Sequence, residues 1–301
     1  MKNASVFVVG SLHYDIVLRA DHLPAPDETV LGNDVQYVCG GKGGNQAVAA
    51  SQHGAVVAFA GMVGKDYHAE LLLNHLRISG VDTTQIQTSI DAASGMSVAI
   101  VDIAGDYGAV VASGANQAID ADAIDMPNDL KILILQNEIA ENVNIKIAQR
   151  ARSKGAKIVL NAAPMRRLPD ELIRNVDILI VNRLEAETLL GQKISSKEDA
   201  LNALKAGSSI ETIIVTLGRD GLCFKSGEDE PKFIAPRSVA AVSSHGAGDC
   251  FVGAFCARLA MGDAFSAALD YAGSAAALHV STPVEARGQI NADRVYELLT
   301  N

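Results

Sequence analysis

The residues best placed to do chemistry form the five-residue segment from His245 to Asp249, which reads His-Gly-Ala-Gly-Asp. Two glycines let the backbone approach a ligand closely. The apolar run of small residues that follows, Cys250 to Met261, predicts a helix starting here, with free amides and a positive dipole end at the turn. Such a turn binds anions. A carboxylate beside a bound anion indicates phosphoryl transfer with Asp249 at the reacting centre.

A second glycine-rich segment runs from Gly40 to Asn45 and opens a predicted helix over 43–54. It is not a P-loop, because Lys42 is followed by Gly43 and not by Ser or Thr. It is not a dinucleotide fingerprint either, because it does not follow the first strand of a βαβ unit. Either glycine segment alone could be a structural turn, but two of them at helix starts favour a ligand site.

Composition excludes several classes of partner. The chain has 301 residues and a net charge of −10, which argues against nucleic acid and anionic membranes as partners. No apolar run approaches the length of a membrane span, and the apolar part of the N-terminus is too short for a signal peptide. The four cysteines form no Cys-x-x-Cys pair, so we expect reduced thiols and a cytoplasmic protein.

Strand and helix patterns alternate along the chain. The near-continuous apolar runs indicate central parallel strands at 5–10, 56–62, 132–136, 157–161, 177–182 and 212–217. Helices are predicted at 43–54, 66–79, 142–154, 197–207, 247–261 and 263–280. This alternation predicts an α/β fold, a doubly wound and mostly parallel sheet flanked by helices in a single domain over 1–301. Ligands are expected at the carboxyl ends of the strands.

Two segments, 11–39 and 92–112, lack a helix between strand-like pieces. Met96 to Ile103 and Ala109 to Ala112 resemble a hairpin around Gly105-Asp106. We therefore expect these segments to form a small β lid inserted into the main domain. The charged segment 225–232 is expected to be a solvated hairpin turn.

Several motifs occur in an order typical of one enzyme family. They are Gly40 to Asn45, Asn182-Arg183-Leu184-Glu185, Thr216 to Gly221, and Gly246 to Asp249, preceded by Gly10 to Asp15, Leu23-Pro24 and Glu28-Thr29-Val30. In this order the chain resembles the ribokinase-like (PfkB) sugar kinases over its whole length, with the ribokinases as the nearest group. The resemblance implies the ribokinase-like fold and a homodimer formed through the β lid.

The resemblance also implies a reaction. The γ-phosphoryl group of ATP would pass to a hydroxymethyl group of a pentose or a related sugar, with Asp249 as the general base. The amides of Gly246, Ala247 and Gly248 would form an anion hole for the phosphoryl oxygens. The structural alternative for Asp249 is a plain helix-capping carboxylate. Alternative functions are a nucleoside kinase or a non-catalytic ligand sensor of the same fold.

For the nucleotide, the resemblance assigns two sets of residues. Asn182 and Glu185 would organise Mg²⁺, largely through water, as this strongly hydrated ion prefers. The nucleotide itself would contact Asn182, Thr216, Gly218, Gly221, Gly248 and Gly273. Outside this family, Asn182 and Glu185 would be a helix cap with its first-turn acid, and Thr216 to Gly221 an ordinary tight turn.

For the sugar, the resemblance assigns residues from three segments. They are His13, Asp15, Gly41, Lys42, Asn45, Glu138 and Asp249. Carboxylates and amides suit this task because they hydrogen-bond neighbouring hydroxyls. The structural alternatives are an exposed loop acid for Glu138 and a solvated lysine for Lys42.

The chain departs from the family pattern at two places. His13 stands where the ribokinases usually have Asn, so we expect ribose not to be the best substrate. Ser243 stands where the family has an Asp that belongs to a monovalent-cation site, and the later part of that site, Ser281 to Gly288, also differs. Activation by K⁺ is therefore not expected.

Overall fold

A large mixed sheet forms the centre of the molecule in a computed structural model, which describes residues 3–103, 107–205 and 210–300. Its nine described strands lie in the order β13-β12-β11-β10-β9-β8-β1-β4-β5, and all pairs except β11/β12 and β12/β13 are parallel. With strands numbered along the chain, their bounds are β1 Val6–Val9, β4 Val57–Gly64, β5 Asp82–Ser89, β8 Ile132–Gln136, β9 Lys157–Asn161, β10 Ile178–Asn182, β11 Thr212–Thr216, β12 Leu222–Ser226 and β13 Lys232–Ile234.

Helices cover both faces of this sheet. Their bounds in the described chain are α1 Lys42–Gln52, α2 Tyr67–Ile78, α3 Glu141–Ser153, α4 Asp170–Ile173, α5 Arg183–Leu190, α6 Lys197–Lys205, α7 Ala247–Met261, α8 Phe265–Ser281 and α9 Ala292–Thr300. Alternate residues of β1 enter different cores: Phe7 packs with α3 to α6, whereas Val6 and Val8 pack with α1, α2, α7, α8 and α9. Burial on both faces explains why the central strands are continuously apolar.

The predicted α/β architecture is confirmed, because a mostly parallel sheet lies between helices on both of its faces. Each of the six predicted strands and six predicted helices has a counterpart within a few residues of its predicted bounds. The segment 225–232 connects the antiparallel strands β12 and β13, as expected of a hairpin. The sequence prediction did not include α4, α5, α9, β5, β12 and β13.

A second, four-stranded sheet comes from the two segments that lacked a helix. It comprises β2 His13–Ala20, β3 Gly32–Gly40, β6 Gly95–Val101 and β7 Tyr107–Ala112, in the order β3-β2-β6-β7. The hairpin turn predicted at Gly105-Asp106 lies outside the described residues. Because β3 ends directly before α1, this sheet stands next to the Gly40 to Asn45 segment. The role of this sheet as a lid stays a prediction.

The register of the small sheet gives it two different faces. Ile16 pairs with Tyr37 and Val98, and Val98 pairs with Val110, so these four side chains form one apolar row. Asp15 is directly opposite Ser97 and stands on the other face. One face is therefore apolar and the other carries the polar residue predicted to bind the sugar.

None of the helices in the described chain is both long and apolar enough to cross a membrane. The four cysteines are free thiols.

Candidate active site

Asp249 lies in the first turn of α7 and is 7% exposed. Gly246 precedes the helix with a φ of 75°, a left-handed conformation that favours glycine. Within the described chain, no acceptor contacts the amides of Gly246, Gly248 or Asp249. Ala247 differs from the prediction, because its amide donates to the Ser244 carbonyl at 3.2 Å. Among the described residues, the predicted anion hole therefore has free donors on either side of Ala247, whose own amide is occupied.

Two amides of α1 hold the Asp249 carboxylate. Asn45 Nδ2 donates to Oδ2 at 3.2 Å, and Gln46 Nε2 donates to Oδ1 at 2.9 Å. Burial raises the pKa of Asp249, while Lys42 and these two amides act in the opposite direction. The outcome is a carboxylate with a pKa above its ordinary value and a fixed orientation, which are the properties of a general base.

Lys42 lies among three carboxylates. Burial lowers its pKa, but Asp249, Glu138 and Glu185 outweigh burial and raise it above its ordinary value, so the ammonium stays charged. The backbone amide of Lys42 donates to Glu138 Oε2 at 2.8 Å, and Ser11 Oγ donates to the same oxygen. Glu138 is thus fixed at the carboxyl edge of the sheet, not left as a freely solvated loop acid.

The glycines of the Gly40 to Asn45 segment have a packing role that the sequence alone does not reveal. A Cβ on Gly41 would lie 2.8 Å from the Ser11 carbonyl oxygen, and one on Gly43 would lie 2.7 Å from the Ser11 amide nitrogen. Gly44 donates its amide to the same Ser11 carbonyl at 3.0 Å. Glycine is required here because the start of α1 lies against the loop after β1, and this contact places Asn45 and Gln46 beside Asp249.

The two predicted sugar ligands on β2 differ in their surroundings. Asp15 Oδ1 accepts a hydrogen bond of 2.5 Å from Ser97 Oγ across the small sheet. His13 is 3% exposed, and its Nε2 has no hydrogen-bond partner among the described residues. A buried ring nitrogen without a partner costs free energy, which a ligand hydroxyl would recover.

Asn182 and Glu185 form a reciprocal helix cap at the start of α5. Asn182 Oδ1 accepts from the Glu185 amide at 2.9 Å, and Glu185 Oε2 accepts from the Asn182 amide at 2.8 Å. Burial raises the pKa of Glu185, an effect opposed by the cap amide and by Lys42. The capping alternative is therefore realised, and among the described residues no hydrogen-bond partner is shown for the second carboxylate oxygen of Glu185.

Asn182 and Glu185 suit a divalent ion that keeps most of its water ligands better than an ion enclosed by protein side chains. Among the residues that the structure describes, no cluster of three or more acidic, histidine or cysteine side chains could enclose a metal. Mg²⁺ commonly uses one or two carboxylates and completes its shell with water and phosphate oxygens. Glu185 and Asn182 fit that mode of binding.

A cavity of about 320 Å³ lies beside the first turn of α7. Its walls come from β11, the loop after it, β13 and its following segment, and one face of α8. Five of the residues predicted to bind nucleotide line it: Thr216, Gly218, Gly221, Gly248 and Gly273. A Cβ on Gly248 or Gly273 would meet no heavy atom within 4 Å, so both glycines leave open space for a ligand. Asn182 does not line this cavity; it lies at the end of the neighbouring strand β10.

Sequence reasoning missed three polar residues of the site. Gln46 is fully buried and its amide bridges Asp249 Oδ1 and Asn161 Oδ1, at 2.9 and 3.0 Å. Ser11 connects Glu138 to the start of α1. Gln46 is the polar residue at the start of an Ala-rich helix, and Asn161 ends a buried strand where ligands are expected, so both positions carried a usable signal.

The residues of the expected monovalent-cation site do not fit a metal ion. Ser243 supplies no carboxylate, and its carbonyl oxygen accepts from Arg287 Nη2 at 2.7 Å. The His245 carbonyl accepts from Arg287 Nη1 at 2.8 Å. Oxygens that could bind K⁺ are therefore already used by a guanidinium group.

The arrangement as a whole can position an acceptor hydroxyl between a base and an anion site. Asp249 would remove a proton on one side, and the amides at the start of α7 would hold negative oxygens on the other. Lys42 adds a positive charge to the same space. This is the combination that phosphoryl transfer requires, because positioning and charge neutralisation dominate that reaction.

Known proteins match the chain over nearly its full length. The family model described as pfkB family carbohydrate kinase matches residues 3–287. A ribokinase of Bacillus subtilis is 35% identical over 98% of this chain and 99% of its own, and one of Haemophilus influenzae is 34% identical over 91% of each. The solved Arabidopsis thaliana ribokinase, complexed with ribose and ATP, superposes with a TM-score of 0.90 at 26% identity and 99% coverage of both chains.

Proposed function

Because the chain belongs to the pfkB family of carbohydrate kinases, we propose that Asp249 is the general base of its reaction and that the start of α7 is its anion hole. The enzyme is an ATP-dependent sugar kinase, a phosphotransferase with an alcohol acceptor. The observation that carries the assignment of the base is the pair of amide hydrogen bonds that fix the buried Asp249 carboxylate.

In the proposed reaction a hydroxymethyl oxygen of the sugar attacks the γ-phosphorus of ATP. Asp249 accepts the hydroxyl proton, and the bond from the γ-phosphorus to the bridging oxygen of ADP breaks. The free amides of Gly246 and Gly248 donate to the transferring phosphoryl oxygens, and Lys42 offsets negative charge nearby. Asn45 and Gln46 keep the carboxylate directed at the proton that it removes.

The nucleotide would occupy the 320 Å³ cavity beside α7. A bound magnesium ion would neutralise charge on its phosphates, and Glu185 and Asn182 are the residues that would hold this ion, largely through water. Gly248 would connect the nucleotide cavity with the anion hole, because it lines the cavity and its amide has no acceptor among the described residues.

The acceptor is a pentose or a related sugar. The named relatives are ribokinases, and one was solved with ribose, so ribose is the first sugar to test. His13 indicates a preference for a sugar other than ribose, because a buried imidazole offers different hydrogen bonds from those of the asparagine that is usual in ribokinases. We therefore expect another pentose, a deoxypentose or a ketohexose to have the highest kcat/KM.

The small sheet would act as a lid over the sugar, with the Asp15 face inward. Its other face carries the apolar row of Ile16, Tyr37, Val98 and Val110, and Tyr37 and Val110 are 60% and 75% exposed. A second copy of the chain would cover this face and make a homodimer. We also infer that the enzyme works in the cytoplasm, where four free thiols stay reduced.

The test is ADP release across pentoses, hexoses and nucleosides, with the unmodified enzyme and Asp249→Asn. We expect turnover on a pentose or related sugar, and a loss of kcat of at least about a hundredfold in the variant, the usual scale of a positioned base. Asp229→Asn, in the exposed hairpin, is the control. A nucleoside as the best acceptor would indicate the nucleoside kinase, and no ADP release with any acceptor would indicate a ligand sensor.

A further inference from the structure

Arg287 directs its guanidinium group at the backbone that leads into the phosphate-binding turn. Nη2 donates to the Ser243 carbonyl at 2.7 Å, Nη1 to the His245 carbonyl at 2.8 Å, and Nε to the Thr282 carbonyl at 3.2 Å. Within the described residues, no carboxylate lies at ion-pair distance from Arg287. One positive charge surrounded by three backbone carbonyls is the ligand arrangement of a bound cation, not of a surface ion pair.

The carbonyls that Arg287 contacts belong to two segments far apart in sequence. Ser243 and His245 precede α7, whereas Thr282 ends α8. The amides of Val242 and Ser243 donate to the Val280 carbonyl at 2.7 and 3.1 Å, so the same two segments are also joined through their backbones. Arg287 therefore fixes the approach to α7 against the carbonyl-rich end of α8, where a positive charge is favoured.

The contact at His245 reaches the anion hole through a single peptide unit. The His245 carbonyl and the Gly246 amide belong to the same peptide group, and that amide has no acceptor among the described residues. His279 Nε2 lies 3.0 Å from the same carbonyl and must be the donor, because a carbonyl only accepts. Two donors on the oxygen polarise the peptide group and strengthen its N–H as a donor to phosphate.

The conformation of the turn depends on the same contacts. Gly246 has a φ of 75°, and a Cβ there would lie 3.2 Å from His279 Nε2. His279 and Arg287 thus hold the turn at the His245 carbonyl. The Gly246 amide, which has no acceptor among the described residues, is left for the phosphoryl group. Without the guanidinium, the Ser243 carbonyl would lose the only side-chain donor that the structure shows for it.

We propose that Arg287 is a positioning residue that takes the place of a bound monovalent cation in this chain. Its guanidinium holds the turn before α7 in the form that directs the Gly246 amide at the transferring phosphoryl group. The inference rests on the proposed phosphoryl transfer, but its structural part concerns the turn alone. It explains why this chain can have Ser243 where a cation site would need an acidic residue: a covalently attached cation needs no acidic ligand to retain it.

Two measurements on Arg287→Ala test the proposal. We expect kcat to fall at least about tenfold, with the sugar KM within about twofold, because the base and sugar contacts are intact and only the anion hole is misplaced. Guanidinium ion at millimolar concentration should restore part of the lost kcat, whereas NaCl at equal ionic strength should not. Hydrogen–deuterium exchange in 243–250 should be faster than in the unmodified protein, independently of any activity.

Arg174→Ala, at an exposed arginine after α4, is the matched control and should show none of these effects. Arg287→Lys keeps the positive charge with fewer donors and should have intermediate kcat, which covers the case that the alanine variant does not fold. The proposal is overturned if folded Arg287→Ala keeps kcat within about twofold, if guanidinium restores nothing, or if exchange in 243–250 is unchanged. Strong activation of the unmodified enzyme by K⁺ would also overturn it. Absence of any kinase activity in the unmodified enzyme would instead refute the proposed function, while the exchange result would still stand.

Discussion

Asp249 has to be ionised to act as a base, although its burial favours the protonated form. Burial raises its pKa, and Lys42, Gln46 and Asn45 act against that shift. A base with a raised pKa loses activity as the pH falls through that pKa, because protonation removes the lone pair that accepts the proton. The acid limb of kcat/KM should therefore lie above about pH 4, the ordinary pKa of aspartate.

Lys42→Met tests this balance of charge. Removing the ammonium takes away an interaction that favours ionised Asp249, so the pKa of Asp249 rises and the acid limb of kcat/KM moves to higher pH. The measurement is a pH–rate profile on the best sugar, recorded for the variant and for Lys193→Met, an exposed lysine after α5. An acid limb in Lys42→Met at the same pH as in the unmodified enzyme, or at a lower one, would contradict this view of the site.

His13 is the residue from which we predict sugar preference. One altered hydrogen bond to a buried hydroxyl is worth about 1–3 kcal/mol, enough to reorder substrates by tenfold or more. His13→Asn should therefore raise kcat/KM for ribose relative to the sugar that the unmodified enzyme prefers. His22→Asn, at an exposed histidine in the β2–β3 connection, should leave the ratio unchanged. The expectation fails if the unmodified enzyme already prefers ribose to every other sugar.

Most residues of the candidate site could be predicted from the sequence, but not the contacts that hold them in place. Asp249, Asn45 and Glu138 come together as expected, since each follows a strand or opens a helix at one edge of the sheet. Gln46 and Arg287 were not predicted as site residues, because their importance depends on which backbone or side chain lies within 3 Å. Such contacts join residues more than 40 positions apart and leave no local pattern in the chain.

Among the elements, the packing of α1 on α7 matters most to the site. α1 carries Asn45 and Gln46, and α7 carries Asp249, so the distance between these helices sets the geometry of the base. Gly253 of α7 allows the close approach: a Cβ there would lie 2.5 Å from the Gln46 carbonyl oxygen and 2.6 Å from Ala49 Cβ. Glycine in the middle of a helix is otherwise unfavourable, so packing explains its presence.

Gly253→Ala should lower the free energy of unfolding by about 1–3 kcal/mol, the usual cost of overpacking a core. Because α1 must move away from α7, kcat should fall as well. The matched control is Gly273→Ala in α8, where a Cβ meets nothing within 4 Å and stability should be unchanged or higher. Urea unfolding with an unchanged m-value gives the measurement, and equal stability of the two variants would argue against this packing role.

The elements differ in how far the sequence determines them. Central strands such as β8 are apolar at every position because both faces are buried, and this pattern is unmistakable. The edge strand β5, Asp82–Ser89, is largely polar and was missed because the sheet continues on one side only. α5 was missed because it begins immediately after Asn182, the last residue of β10, and has only eight residues.

For the molecule as a whole, the small sheet is the feature that favours a second subunit. The pairing of its strands places Asp15 and Ser97 on one face and apolar side chains on the other. Tyr14, at the base of the apolar face, stacks on His68 of α2 with ring centroids 4.8 Å apart. Further out no element of the described chain covers Tyr37 and Val110, which are 60% and 75% exposed.

A homodimer in which two such sheets pack through their apolar faces would bury these side chains. Val110→Glu places a charge in that face, and an unpaired charge is costly to bury, so the variant should dissociate to monomers. Sedimentation velocity at micromolar concentration measures this, with Val56→Glu as the control: Val56 is 60% exposed but lies before β4, away from the small sheet. If the lid needs its partner for support, the variant should also have a higher sugar KM. An unmodified protein that sediments as a monomer at micromolar concentration would rule out pairing through the lid.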